Sequence, residues 1–423
     1  MKQPIIGFVG MTHLGLVSGV AASKKGFQII CYDQNPEIIK EINSGNLPVS
    51  EPLLQEYIED SRNNIEFTSN QDLLNKCDVI YIAPDIPTDD HGNSSLEVIE
   101  KLIEFVFKLI GKDVVIVVLS QVPPGFSRQR SHSERKYYYQ VETLIFGRAI
   151  ERALNPERYI VGCANPEEEL PEAYRIFLQA HDCPILKMRY ESAELAKISI
   201  NMCLVASVST ANTLAEICER IGADWAEIVP ALKLDRRIGQ YAYLSAGLGI
   251  SGGNLERDLA TVCRLGEEFG TDINIVRAWM ANSGYRKNWP LRTLQAEVLK
   301  RKNSPVIAIL GLAYKENTHS IKNSPAILLL ESLKEYETRV YDPVVTSDMV
   351  KLGSKTYFAS NVLDACNGAD VLIIMTPWDD FRKIQIKEIL KHLSGNVIID
   401  PYKILNREDC IQHMLSYHSL GVT

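Results

Sequence analysis

The first glycine turn of the chain, Gly10-Met11-Thr12-His13-Leu14-Gly15, follows an apolar run, Ile5–Val9, and opens a helical stretch. A second apolar run ends in Asp33, eighteen residues beyond Gly15. This combination suits a dinucleotide. Gly10 permits the tight turn, Gly15 lets helix and strand close up, and the helix start at Thr12, His13 and Leu14 attracts a pyrophosphate. Asp33 is placed to take a ribose 2′-hydroxyl, which favours NAD over NADP. Thr12 stands at the middle glycine position, where a side chain threatens to crowd the pyrophosphate. A second glycine cluster, Gly247, Gly249, Gly252 and Gly253, falls within Leu244–Asn254, a loop able to bring backbone close to a ligand.

The elements that must position these turns alternate with an α/β rhythm. Ile5–Val9, Gln28–Tyr32, Asp78–Ala83, Val114–Leu119 and Arg158–Val161 read as buried parallel strands, with Leu14–Lys25 and Leu96–Ile110 as crossover helices. Ser127–Tyr139, rich in Arg, Ser and Tyr, reads as an exposed loop or lid. From about Glu191 the period changes: Leu195, Ile198, Met202, Val205, Val208, Leu214 and Ile217 recur at helical spacing until Gly222. At Pro305 the strands return, as Val306–Leu310, Thr338–Tyr341, Val371–Met375 and Val397–Asp400, with helices such as Ala326–Lys334 and Ile386–Leu393. The fold class is therefore α/β, two Rossmann-like doubly wound domains joined by a long central helix. The expected division is 1–190, a dinucleotide-binding domain, 191–300, a central helical region, and 301–423, a second Rossmann-like domain.

With 423 residues the chain exceeds one ordinary domain, and its 46% hydrophobic and 23% charged residues give no case for disorder. A net charge of −8 weighs against nucleic acid as a partner. Apolar runs such as Ala326–Leu330 fall short of a membrane span, and Met1–Gly10 reads as a strand rather than a signal, so the expected location is cytoplasmic. Nine cysteines are odd in number and never arranged as C-x-x-C, so no disulfide framework or metal site is expected.

Several segments together resemble the UDP-glucose/GDP-mannose dehydrogenase family: Gly10–Gly19, Ser44–Pro52, Ser120–Gly125, Ser192–Lys197 through Asn201, Asp235–Gly239, Gly247–Asp258, and Gly311–Lys315 through Ser324-Pro325. Their joint order over nearly the whole chain is the specific signal. The resemblance implies NAD as cofactor, with Pro87 and Ser120 beside it, and a nucleotide-sugar substrate, a UDP-sugar above all. It also implies a homodimer through the central helix and a place in polysaccharide biosynthesis. Family members oxidise a sugar C6 alcohol to a carboxylate in two NAD-dependent steps, through a cysteine thiohemiacetal and thioester. By the same resemblance, Lys197 and Asn201, four apart on one helix face, steady the developing alkoxide. Asp258 helps hold a water for proton removal, while Arg237, Gly249, Gly252, Tyr314 and Lys315 contact the substrate.

The chain departs from this pattern where the acid-forming chemistry resides. Asn254 stands at the family's cysteine, and a carboxamide, its nitrogen lone pair delocalised, cannot form a thioester. Phe146 stands at a glutamate associated with thioester hydrolysis, in an alignment loosened because Gln140–Glu142 only partly resembles Asn-Pro-Glu. Gln121 stands at a threonine, Tyr402 at an arginine, and His319-Ser320 at an acidic pair. Three readings follow: a single two-electron oxidation giving a keto- or aldehydo-sugar, which the retained groups favour; a conventional four-electron 6-dehydrogenase with a substitute nucleophile; or a catalytically silent binding protein.

Overall fold

The structure, a computed structural model, describes residues 3–87, 89 and 94–422. It divides into two compact units, Met1–Ile200 and Asn201–Thr423.

The first unit is built on eight strands: β1 (Ile5–Val9), β2 (Gln28–Tyr32), β3 (Ile65–Thr68), β4 (Val79–Ile82), β5 (Val115–Val118), β6 (Tyr137–Gln140), β7 (Tyr159–Cys163) and β8 (Ile185–Arg189). Their order is β3-β2-β1-β4-β5-β6-β7-β8, parallel except where β6 meets β7. The central strands are apolar at every position because each side chain meets a helix layer. Val79 and Tyr81 of β4 join Phe8, Ile29 and Val117 on one face, where the helix His13–Lys24 adds Leu16, Val17 and Val20. Ile80 and Ile82 join Val9, Ile30 and Ile116 on the other, covered by Ile99, Leu102 and Val106 of the helix Glu97–Leu109.

The expected lid is corrected here. Within Ser127–Tyr139, Phe126–Arg130 is a short helix and Tyr137–Gln140 is an interior strand between β5 and β7. Tyr137 and Tyr139 are buried, and Gln140 Oε1 accepts hydrogen bonds from the hydroxyls of Tyr81 and Tyr174, both at 2.9 Å. A run of tyrosines reads as polar, yet each phenol is mostly ring and packs on a pleated surface like any aromatic.

His181 gives this unit a pH dependence. Its ring lies against Tyr159 and Phe177 with Nδ1 3.1 Å from the Phe177 carbonyl, and burial pushes its pKa down from 6.5 to about 4. The folded state thus prefers neutral imidazole. Its contribution, at most about 3 kcal/mol, is fully present above pH 6.5 and lost as pH falls toward 4. Thermal melts across that window should show a steeper fall for the wild type than for His181→Gln; parallel curves would refute this assignment.

The second unit repeats the architecture with six parallel strands, β9 (Val306–Leu310), β10 (Glu337–Tyr341), β11 (Thr356–Phe358), β12 (Val371–Ile374), β13 (Val397–Ile399) and β14 (Ser416–His418). Their order, β11-β10-β9-β12-β13-β14, reverses direction beside the first strand as in the first unit.

One helix, Tyr190–Ile221, contributes its first turns to one unit and the remainder to the other; its 32 residues extend for about 48 Å. By length and composition it is apolar enough to cross a membrane, against the expectation that no segment is. It nevertheless carries Glu194, Lys197 and Asn201, each of which makes hydrogen bonds within the protein.

Candidate active site

At the end of β1, Gly10 has φ +95°, and a Cβ there would lie 3.0 Å from the backbone nitrogen of Pro84. A Cβ on Gly15 would fall 2.0 Å from the Gly10 carbonyl oxygen. Both glycines are therefore required by geometry, one for the turn and one for the close helix-to-strand contact. Thr12 is the N-cap of His13–Lys24, and its hydroxyl accepts the Asp85 amide at 2.7 Å, so the side chain is turned to the segment after β4. Asp33 Oδ2 accepts the Met11 amide at 2.8 Å and Oδ1 the Asn35 amide at 2.9 Å. A carboxylate offers about four acceptor sites, so two remain for ribose hydroxyls.

The matching turn in the second unit is built differently. Gly311 ends β9 with φ +92°, but Asp342 beyond β10 accepts five donors: the amides of Leu312, Ala313, Val344 and Val345, and the Trp378 indole. Its acceptor capacity is exhausted, which singles out the first unit for the dinucleotide. Gly10, Thr12, His13, Leu14, Gly15 and Asp33 fit an NAD molecule and would hold it.

His13 is buried, with Nε2 2.9 Å from Glu51 Oε1 and its ring stacked on Phe146 at 4.1 Å between centroids. Glu51 also accepts the amides of Gly147 and Ala149, clamping the Phe146 segment to the cofactor helix. Phe146 thus presents a half-exposed ring, where a glutamate would offer a carboxylate. Ser120 is buried and donates to the Pro84 carbonyl at 2.5 Å; Pro87 is exposed, its carbonyl accepting the Ser95 amide.

In the same unit Lys197 Nζ lies 3.3 Å from Glu142 Oε2, and both side chains are largely withdrawn from solvent. Glu142, in a stretch that only partly resembles the family's Asn-Pro-Glu, is therefore Lys197's partner. One turn earlier Glu194, fully buried, accepts the amides of Gly125 at 2.6 Å and Ser127 at 2.8 Å. Desolvation raises its pKa despite those bonds. It fixes the turn after β5 that carries Ser120 and Gln121.

The second unit holds the remaining residues. Asn201, four residues after Lys197, donates from Nδ2 to Asp258 Oδ2 at 2.5 Å, and Arg257 Nε lies 3.3 Å from Asp258 Oδ1. Asn254 is the exposed first residue of the helix Asn254–Phe269. Cys263 lies nine residues further, about 13 Å along the axis, with burial raising its thiol pKa. Gly249 and Gly252 have φ of +79° and +84°, and a Cβ on Gly252 would press on the Tyr314 ring at 3.1 Å. Gly252 is held by its amide, which donates to the Lys322 carbonyl, and by its carbonyl, which accepts from Asn323. Tyr314 is half-buried, its hydroxyl pKa raised by desolvation, with Lys315 Nζ 5.8 Å from its ring centroid. Arg237 is exposed and paired with Asp235 of its own turn. Lys322 and Asn323 were missed by the sequence reading, although they sit inside the Gly311–Pro325 segment.

The first unit thus holds a dinucleotide cradle and a lysine–carboxylate pair, and the second an asparagine–aspartate pair and a glycine loop packed on Tyr314, each a part that a nicotinamide-dependent dehydrogenase requires. Three domains of one family match in order: an NAD binding domain at residues 5–180, a central domain at 191–283 and a UDP binding domain at 308–407. The UDP-glucose 6-dehydrogenase of Rickettsia conorii is 30% identical over 98% of this chain and 99% of its own. That of Bacillus subtilis, TuaD, is 27% identical over 98% and 93%. Among solved structures, a UDP-glucose dehydrogenase from Pyrobaculum islandicum is similar in fold, with TM-score 0.85 and 23% identity over 100% of this chain and 98% of that one. The chain belongs to the UDP-glucose/GDP-mannose dehydrogenase family, NAD-dependent oxidoreductases acting on the CH–OH of a nucleotide sugar.

Proposed function

We propose that this chain carries out one two-electron oxidation of a UDP-sugar hydroxyl, releasing a keto- or aldehydo-sugar, NADH and a proton. The observation that carries the proposal is Asn254 at the head of its helix, where acid formation requires a thiolate. Bound NAD supplies the hydride acceptor. The chain's own groups supply the rest. The Lys197 ammonium has three donors and spends one on Glu142, leaving others for an alkoxide oxygen. Asn201 keeps a second amide hydrogen for a substrate oxygen, while Asp258 fixes its orientation and takes part in proton removal. Phe146, an aromatic ring where a carboxylate would hold water, agrees with a site that does not hydrolyse an acyl intermediate.

The experiment is the stoichiometry of NADH formed per UDP-sugar consumed, with the product identified. One NADH and a carbonyl product are expected; two NADH and a uronate would refute the proposal.

A homodimer through the long helix is part of the same proposal. Leu214, Ile217 and Ile221 form an exposed apolar stripe at helical spacing. The expected solution mass is that of two chains, and a monomer at micromolar concentration would argue against it.

A further inference from the structure

Arg286, in the helix Asn274–Lys287, is the largest fully buried side chain in the protein's described residues. Its Nη1 lies 3.0 Å from Glu216 Oε2 and Nη2 3.3 Å from Glu219 Oε1, both on the long helix, while Nε donates to the Gly247 carbonyl at 3.4 Å. The carboxylates are shared. Glu216 also receives the Tyr285 hydroxyl and Arg292, and Glu219 the Trp289 indole and the Gly421 amide at 2.9 Å. A buried guanidinium is tolerated only when it is paired and hydrogen-bonded, and here each of its three nitrogens has a partner on one helix or one loop.

The loop is held at further points by the same two helices. The Gly247 amide donates to Asn212 Oδ1 at 2.8 Å, so both backbone groups of Gly247 end on buried side chains. The Ile250 amide donates to Ser283 Oγ at 2.8 Å, one turn before Arg286. Between them a Cβ on Gly249 would sit 2.6 Å from the Ser283 carbonyl, so the loop lies directly on the helix backbone. The C-terminal turn enters the same network twice, through Gly421 on Glu219 and through the Trp225 amide, which donates to the Gly421 carbonyl, while the Trp225 indole holds the Leu244 carbonyl.

We infer that Arg286 is a positioning residue for the glycine-rich loop: through Glu216 and Glu219 it ties Gly247 to the long helix and the C-terminal turn, and so sets where Gly249, Gly252 and Asn254 stand. Its consequence for substrate rests on the reading that this loop meets a nucleotide sugar; the positioning itself does not.

Arg286→Lys keeps a charge but cannot span two carboxylates and a carbonyl. Amide exchange within residues 247–253 should quicken about ten-fold or more, and the Kd for UDP-glucose as probe should rise about ten-fold, with the Kd for NAD within about two-fold. Asn212→Ala, which removes only the acceptor for the Gly247 amide, should shift loop exchange and UDP-glucose binding in the same direction by less, and decides the matter if Arg286→Lys fails to fold. Unchanged loop exchange in the folded variants would overturn the inference, as would a uniform rise in exchange with NAD and UDP-glucose weakened together. Faster loop exchange with no UDP-glucose binding even by the wild type would leave the positioning intact and count against the substrate reading.

Discussion

Lys197→Ala is expected to lower kcat for NAD reduction about 10²- to 10⁴-fold while leaving the Kd for NAD within about two-fold. Oxidising an alcohol places negative charge on one oxygen as hydride leaves, and the groups that stabilise it act mainly in the transition state, so kcat falls rather than KM. Lys197 is withdrawn from solvent and held by Glu142, which fixes the ammonium before substrate arrives. The cofactor cradle of Gly10, Thr12, Gly15 and Asp33 is assembled from other contacts and should survive. Asp258→Asn tests the second pair: an amide oxygen can still receive Asn201, but proton removal loses its carboxylate, so a fall of about 10²-fold is expected. The double variant should fall short of the product of the two, because both serve the same chemical step. Absorbance at 340 nm measures all of these rates. Turnover within ten-fold of wild type in Lys197→Ala would remove this residue from the chemistry, and binding without turnover by the wild type across a nucleotide-sugar panel would make the chain a silent binding protein.

Which of these parts the sequence discloses depends on whether the cause is local. The turn at Gly10, the helix contact at Gly15 and the carboxylate of Asp33 follow from backbone sterics within one β-α-β stretch, and the structure supplies the clash distances behind them. Uniformly apolar strands such as β4 and β5 stand out because both faces are covered. The strands of mixed composition escape: β11, Thr-Tyr-Phe, and β14, Ser-Tyr-His, have little apolar signal, and β8 mixes Lys187 and Arg189 with apolar side chains at a sheet edge. Partnership is the larger loss. Glu142 is 55 residues from Lys197, and Glu216 is 70 from Arg286, so no window along the chain joins them. Arg286 in particular looks like one more surface charge until Glu216, Glu219 and Gly247 are seen around it. Thr12 is a further case, since its hydroxyl accepts the amide of Asp85, 73 residues away.

Asn254→Cys is expected to convert the absence of a nucleophile into a probe of which carbon is oxidised. The position is exposed at the start of a 16-residue helix, where the helix dipole favours a thiolate. If the product is an aldehyde, the thiolate adds to the carbonyl carbon and gives a thiohemiacetal that still bears a C–H bond. Loss of that hydrogen as hydride to a second NAD, with the hydroxyl proton leaving to solvent, forms a thioester. A second equivalent of NADH per active site should then appear as a burst, followed by stalling, because Phe146 offers no carboxylate to help water release the acyl group. Intact-protein mass would rise by the acyl sugar nucleotide. If the product is a ketone, the same addition gives an adduct with no hydrogen on that carbon, no second hydride can leave, and neither burst nor stable adduct forms. The added carboxylate of Phe146→Glu in the cysteine background should relieve the stall in the first case and change nothing in the second. A wild-type enzyme that already yields two NADH and a covalent sugar adduct at another residue would defeat this account, since Asn254 would then not be what limits the oxidation to one step.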